Sequence, residues 1–157
     1  MSQVNLTELR AGGPQDLNQV NIIMQDAFDA RYGEAWTSSQ CMGMLSLPGV
    51  WLTLASMDGR DVGFALVRST GEEAELLLLA TRPAARGRGI GGALLRAAIE
   101  EARARRAATL FLEVRSGNDA IHLYQREGFG KIGERKGYYR GKEGQVFDAL
   151  TYSRQVG

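Results

Sequence analysis

The sequence predicts an α/β fold of the α+β kind, with about seven strands and about four helices in one domain spanning 1–157. Three observations carry that prediction. Segments with apolar residues at helical spacing alternate with short apolar runs of strand length. Two of those runs flank an Asp-Gly pair, the signal of a β-hairpin. A glycine-rich turn, Arg86-Gly87-Arg88-Gly89-Ile90-Gly91-Gly92, joins an apolar strand to a helix.

Val4 to Leu9 alternates apolar and polar residues, so a first strand is expected before Gly12-Gly13-Pro14 breaks it. Asp16 to Arg31 places Leu17, Val20, Ile23, Met24, Ala27 and Phe28 on one helical stripe. Tyr32 to Trp36 reads as a loop around Gly33. Thr37 or Ser38 can then cap a second helix running to about Ser46. Val50 to Ser56 and Val62 to Arg68 form the hairpin around Asp58-Gly59, and the strand ending Leu76 to Ala80 follows. After the glycine turn, Ala93 to Arg106 has a helical pattern whose polar face carries Arg96, Glu100 and Arg103. Ala108 to Val114 is a short β run. Asn118 to Glu127 is a compact helix ended by Gly128. Phe129 to Tyr139 and Gln145 to Ser153 read as a last hairpin turning at Gly141 to Gly144.

Composition narrows the function classes. Apolar residues make up 44% and charged residues 24%, as in ordinary globular proteins. The net charge of +1 implies no general affinity for nucleic acid. Basic residues cluster instead at Arg82, Arg86 and Arg88, and from Lys131 to Lys142, where a solvated hairpin is the plain reading. Cys41, the one cysteine, excludes an internal disulfide, makes a cysteine-based metal site unexpected, and reads as packing. No apolar run is long enough to span a membrane, and Met1 to Arg10 lacks signal-peptide character, so a cytoplasmic protein is expected.

The glycine turn is the chemical signal. Glycines leave backbone N–H groups unblocked and tolerate positive φ, and the helix start adds orphan donors and the positive end of its dipole. Such a turn suits a phosphorylated cofactor. Gly87, Gly89 and Gly92 fit the dinucleotide pattern GxGxxG, with Glu113 near the place of a ribose-binding acid. The same residues also read Arg86-x-x-Gly89-x-Gly91. A nicotinamide-binding fold normally opens with its glycine turn; here the turn comes mid-chain, with too little chain after it for a second nucleotide-binding half.

Arg86-x-x-Gly89-x-Gly91 and the element order together resemble the acetyl-CoA-dependent N-acetyltransferases of the GNAT superfamily. The C-terminal third is similar to the RimI type, the ribosomal-protein-alanine N-acetyltransferases. Leu112-Glu113-Val114-Arg115, Asn118, Ala120-Ile121-His122-Leu123-Tyr124, Gly128-Phe129, Arg135, Tyr138-Tyr139 and Asp148-Ala149 carry that likeness. The resemblance implies a central mixed, mostly antiparallel sheet. It implies that acetyl-CoA is the acetyl donor, held by Arg86, Gly87, Arg88, Gly89, Ile90, Gly91 and Gly92, by backbone groups of Leu79, Ala80 and Thr81, and by Asn118. It further implies Glu113 as general base and Tyr124 as general acid. The Asn118–Tyr124 separation is one residue short of the family's usual spacing, and Arg82 stands where the family often has an acid.

The residues alone leave two readings of each catalytic candidate. Glu113 is a base, or it pairs with Arg115 or another cation on the sheet surface. Tyr124 is a proton donor, or it is a core tyrosine beside Leu123. Tyr32, Glu34 and Trp36 in the helix–helix loop, with Tyr138 and Tyr139 in the last hairpin, are expected to hold a peptide N-terminus; Glu34 would favour a basic tail such as that of a ribosomal protein, and Trp36 also fits plain packing. His122 is expected at the surface. The rival functions are acetylation of a small amine, an antibiotic or a lysine side chain, and a non-catalytic acetyl-CoA sensor.

Overall fold

A computed structural model describes residues 7–157. Seven strands form one sheet in the order β1-β2-β3-β4-β5-β7-β6. They are β1 (Thr7–Gly12), β2 (Val50–Met57), β3 (Arg60–Thr70), β4 (Glu73–Thr81), β5 (Thr109–Arg115), β6 (Gly130–Arg140) and β7 (Val146–Gln155). The helices are α1 (Leu17–Ala27), α2 (Ser38–Leu45), α3 (Ile90–Ala104) and α4 (Ala120–Arg126). Neighbouring strands are antiparallel except β4 and β5, which are parallel and joined through α3. Val4 to Leu6 of the expected first strand lie outside the described residues.

Two cores lie on opposite faces of the sheet. Val20, Ile23 and Met24 of α1 and Cys41 of α2 pack with Leu52, Leu54, Phe64 and Leu66. Ile90, Leu94, Leu95, Ala98 and Ile99 of α3 pack on the other face with Ala65, Val67, Leu110 and Leu112. Cys41 is fully buried, as its apolar setting predicts. Among the described residues no helix is long and apolar enough to cross a membrane.

β4 does not keep strict alternation. Val67 pairs with Leu76 and Leu66 with Leu78, so Leu77 is an extra residue. Such a bulge flips the side-chain phase. Ala74 and Leu76 therefore enter the α3 core, whereas Leu78 and Ala80 enter the α1 core. The continuous apolar run of the sequence is the trace of that change of face.

Several helix ends differ from expectation. α1 stops at Ala27 rather than Arg31, because Phe28 is extended and the Asp29 carboxylate accepts from the Arg31 N–H, starting a separate 3-10 turn, Ala30–Tyr32. α3 begins at Ile90 rather than Ala93, taking Gly91 and Gly92 into its first turn, where a Cβ on Gly91 would press on Leu123. α4 begins at Ala120 rather than Asn118, because the Asn118 side chain accepts the Ala120 N–H outside the helix. α2 starts as expected: Thr37 Oγ1 accepts from the Gln40 N–H, and Gln40 Oε1 accepts from the Thr37 N–H.

Candidate functional site

β4 and β5 are paired only from Glu73–Thr109 to Leu76–Leu112. Beyond that point the strands part, and a cavity of about 910 Å³ opens between them. From Leu77 to Thr81, β4 bonds to β3 on one side and, among the described residues, to no strand on the other, so its backbone donors and acceptors line the opening.

The glycine turn closes one end. Gly87 and Gly89 both have positive φ (78° and 79°), and nothing lies within 4 Å of a Cβ added at either. The first helical bond of α3 runs from the Ala93 N–H to the Gly89 carbonyl at 3.0 Å. The N–H groups of Ile90, Gly91 and Gly92 are thus free of helical partners at the cavity wall. Arg86 lines the cavity, but its guanidinium donates to the carbonyls of Thr81 (3.3 Å) and Ala27 (2.7 Å), bracing the turn against β4 and α1. Arg88 is outside the lining; it points to Met57 Sδ at 3.5 Å.

The other end is built from side chains. Glu113 on β5, Tyr124 on α4, Asn118, the loop residues Tyr32, Glu34 and Trp36, and Tyr138 and Tyr139 on β6 all line the same cavity. Of the nominated site residues, only Arg88 is absent from it. Glu113 does not pair with Arg115; its carboxylate meets Arg135 Nε of β6 at 3.0 Å. Arg115 instead meets Glu34 at 3.2 Å, with both side chains nearly buried, and its guanidinium lies 3.7 Å from the centre of the Tyr32 ring. The second Glu34 oxygen accepts from Asn118 Nδ2 at 2.7 Å. Glu34 is therefore engaged inside the wall, not free for a basic tail. His122 is exposed.

A bulge shapes the aromatic rim. Three residues of β6, 136–138, intervene between the Arg135–Ala149 and Tyr139–Phe147 pairs. Asp148 holds this bulge by accepting from the Gly137 N–H at 2.9 Å and pairing with Lys136. These bonds pull the Asp148 carboxyl below its ordinary range. Burial, and next the Glu34 charge, push the Tyr124 phenol up, and the Tyr139 phenol rises for the same reasons. Both phenols stay protonated at neutral pH. The supporting roles of Arg115, Arg135 and Asp148 were not legible as such. Their trace in the sequence was their place in the stretches that carry the family likeness.

The acetyltransferase (GNAT) family model matches residues 17–129. The chain is 37% identical over 78 residues to the ribosomal protein bS18-alanine N-acetyltransferase of Haemophilus influenzae, a stretch covering 50% of this chain and 53% of that protein. The protein of the same name from Haemophilus ducreyi is 40% identical over 90 residues, 57% of this chain and 62% of that protein. The chain thus spans only about half to three fifths of these curated relatives in the matched stretch. The crystal structure of the ribosomal-protein-S18-alanine N-acetyltransferase from Escherichia coli superposes with a TM-score of 0.86 at 28% identity, covering 97% of this chain and 95% of that one.

Proposed function

The chain belongs to the acetyltransferase (GNAT) family, and from that premise we propose that it transfers acetyl from acetyl-CoA to the N-terminal α-amine of a protein, as the names of its ribosomal-protein-alanine relatives describe for them. One observation carries this reading. A single cavity has a backbone anion cradle at one end and a carboxylate with neutral phenols at the other.

The residues present fit the coenzyme. The Cβ-free space at Gly87 and Gly89 and the N–H groups of Ile90, Gly91 and Gly92 suit a diphosphate. The open edge of β4 at Leu79, Ala80 and Thr81 suits the amides of an extended pantetheine arm. Bound there, acetyl-CoA supplies an activated acetyl group and a thiolate leaving group.

The chain's own residues perform the proton work. An α-amine has a pKa of about 8, so a carboxylate suffices to take its proton at neutral pH. Glu113, held by Arg135 at the cavity wall, accepts that proton directly or through a water. Tyr124, kept neutral by burial, donates to the departing sulfur. Asn118 is fixed by Glu34 and by the Ala120 N–H at the mouth of α4. The buried thiol of Cys41, pushed up by loss of water, is no nucleophile, which favours direct transfer between two bound substrates. Tyr32, Trp36, Tyr138 and Tyr139 form the surface that receives the acceptor's first residues.

The test is thiol release from acetyl-CoA with a peptide beginning Ala-Arg, free or blocked at its N-terminus. Release should require the free amine, and Glu113→Gln should lower kcat about 100-fold while acetyl-CoA still binds. Release with the blocked peptide, or only with small amines, overturns the α-amine reading.

A further inference from the structure

Glu75 is a half-buried carboxylate that the proposed reaction leaves unused. It lies on β4 before the Leu77 bulge, opposite Arg68 of β3 and Phe111 of β5. Its neighbours Ala74 and Leu76 enter the α3 core, so Glu75 faces the other side of the sheet. Glu113 faces that side too, because Leu112 and Val114 enter the α3 core. The two carboxylates are diagonal neighbours across the parallel pair.

A second cavity, of about 420 Å³, opens on this face. Glu75 and Glu113 line both it and the larger cavity, and they are the ionisable groups that the two linings share. The charged groups facing Glu75 are Glu113 from β5, Arg68 from β3 and Arg135 from β6, with Glu73 of its own strand at the rim. Burial and then the Glu113 charge hold the Glu75 carboxyl above its ordinary range, against the opposing pull of Arg68 and Arg135. Glu113 is held in a salt bridge by Arg135, and among the described residues Glu75 is held in none.

The reaction creates a need for such a group. An acceptor that arrives as an ammonium ion leaves one proton behind at each turnover. Coenzyme and acceptor would fill the larger cavity, and Glu113, which also lines the smaller one, is paired there with Arg135, so Glu75 is the neighbouring carboxylate left unpaired among the described residues. We propose that Glu75 is the second carboxylate of a proton path, taking from Glu113 the proton that the acceptor gave up and releasing it into the smaller cavity. The acceptor N–H bond breaks as the Glu113 O–H forms; that proton passes to Glu75 and then to water, with no change in electron count. Glu75 acts through Glu113 and is a positioning residue. This rests on the assignment of Glu113 as the base.

The experiment compares wild type, Glu75→Gln and Glu113→Gln at saturating acetyl-CoA and Ala-Arg peptide, across pH and buffer concentration. In dilute buffer Glu75→Gln should lose about tenfold in kcat with KM unchanged. Imidazole or formate, small enough to enter the second cavity, should restore it. Wild-type kcat in Glu75→Gln at every buffer concentration, or a loss that no buffer restores, overturns the path. Full activity in Glu113→Gln overturns the base assignment itself; loss there with none in Glu75→Gln overturns the path alone.

Discussion

The two ends of the large cavity are made of different materials. The glycine-turn end is backbone: the cradle at Gly87 and Gly89, the start of α3 and the open edge of β4, all within residues 77–92. The end proposed for the acceptor is side chain: Glu34 reaches Arg115 across 81 residues of sequence and Asn118 across 84. A diphosphate presents the same charges whatever the acceptor, and backbone donors recognise it without regard to side chains. An acceptor varies, and only side chains brought from several elements can discriminate among its forms. The two ends should therefore fail separately when changed.

The largest effect is expected where the α1–α2 loop crosses the β6–β7 turn. Gly33 has φ 68°, and a Cβ there would overlap the Arg140 carbonyl; a Cβ on Gly141 would overlap that of Arg31. The Lys142 N–H donates to the Ala30 carbonyl at the same crossing. Gly33→Ala must push the two loops apart, at a cost of about 3 kcal/mol. Denaturant unfolding should show the loss, and the acceptor KM should rise while acetyl-CoA affinity holds. A parallel fall in both affinities would break the comparison and make the cavity one unit.

A smaller loss is expected for Glu34→Ala, about 2 kcal/mol, because Arg115 would remain nearly buried without its partner. The value sits below that of a fully enclosed pair, since both side chains keep some contact with water. Asn118 would lose one of its two anchors. The Tyr124 and Tyr139 phenols should titrate lower as the Glu34 charge disappears, with burial remaining their larger cause. Thermal unfolding and spectrophotometric phenol titration measure both effects. Unmoved phenols would confine Glu34 to a structural brace.

Gly89→Ala should have the mildest effect. Nothing obstructs the added Cβ, so its cost is the left-handed backbone alone, about 1 kcal/mol. Calorimetric titration should show several-fold weaker acetyl-CoA binding with the acceptor KM unchanged. Unchanged coenzyme affinity would mean the turn is a packing device and not a cradle.

Legibility in the sequence follows the same division. The Asp58-Gly59 hairpin, the Thr37 cap and the glycine turn were all readable, because each depends on residues within a few positions of one another. Glu34 was expected to face an acceptor but is engaged in the cavity wall, since its charge is met by an arginine of β5. Arg88 looked equivalent to Arg86 and is not, because the two side chains leave the turn in different directions.

The sequence by itself determined most of the elements, the open glycine turn and the family likeness. Periodicity, caps and turn glycines act through local dihedral angles and hydrogen bonds, which need no distant partner. Only the tertiary structure decided that β7 lies between β5 and β6, that the Leu77 bulge turns β4 over, and that Glu113 meets Arg135 while Arg115 meets Glu34. Strand order and charge pairing are competitions among many possible partners, and packing of the whole sheet selects the winners.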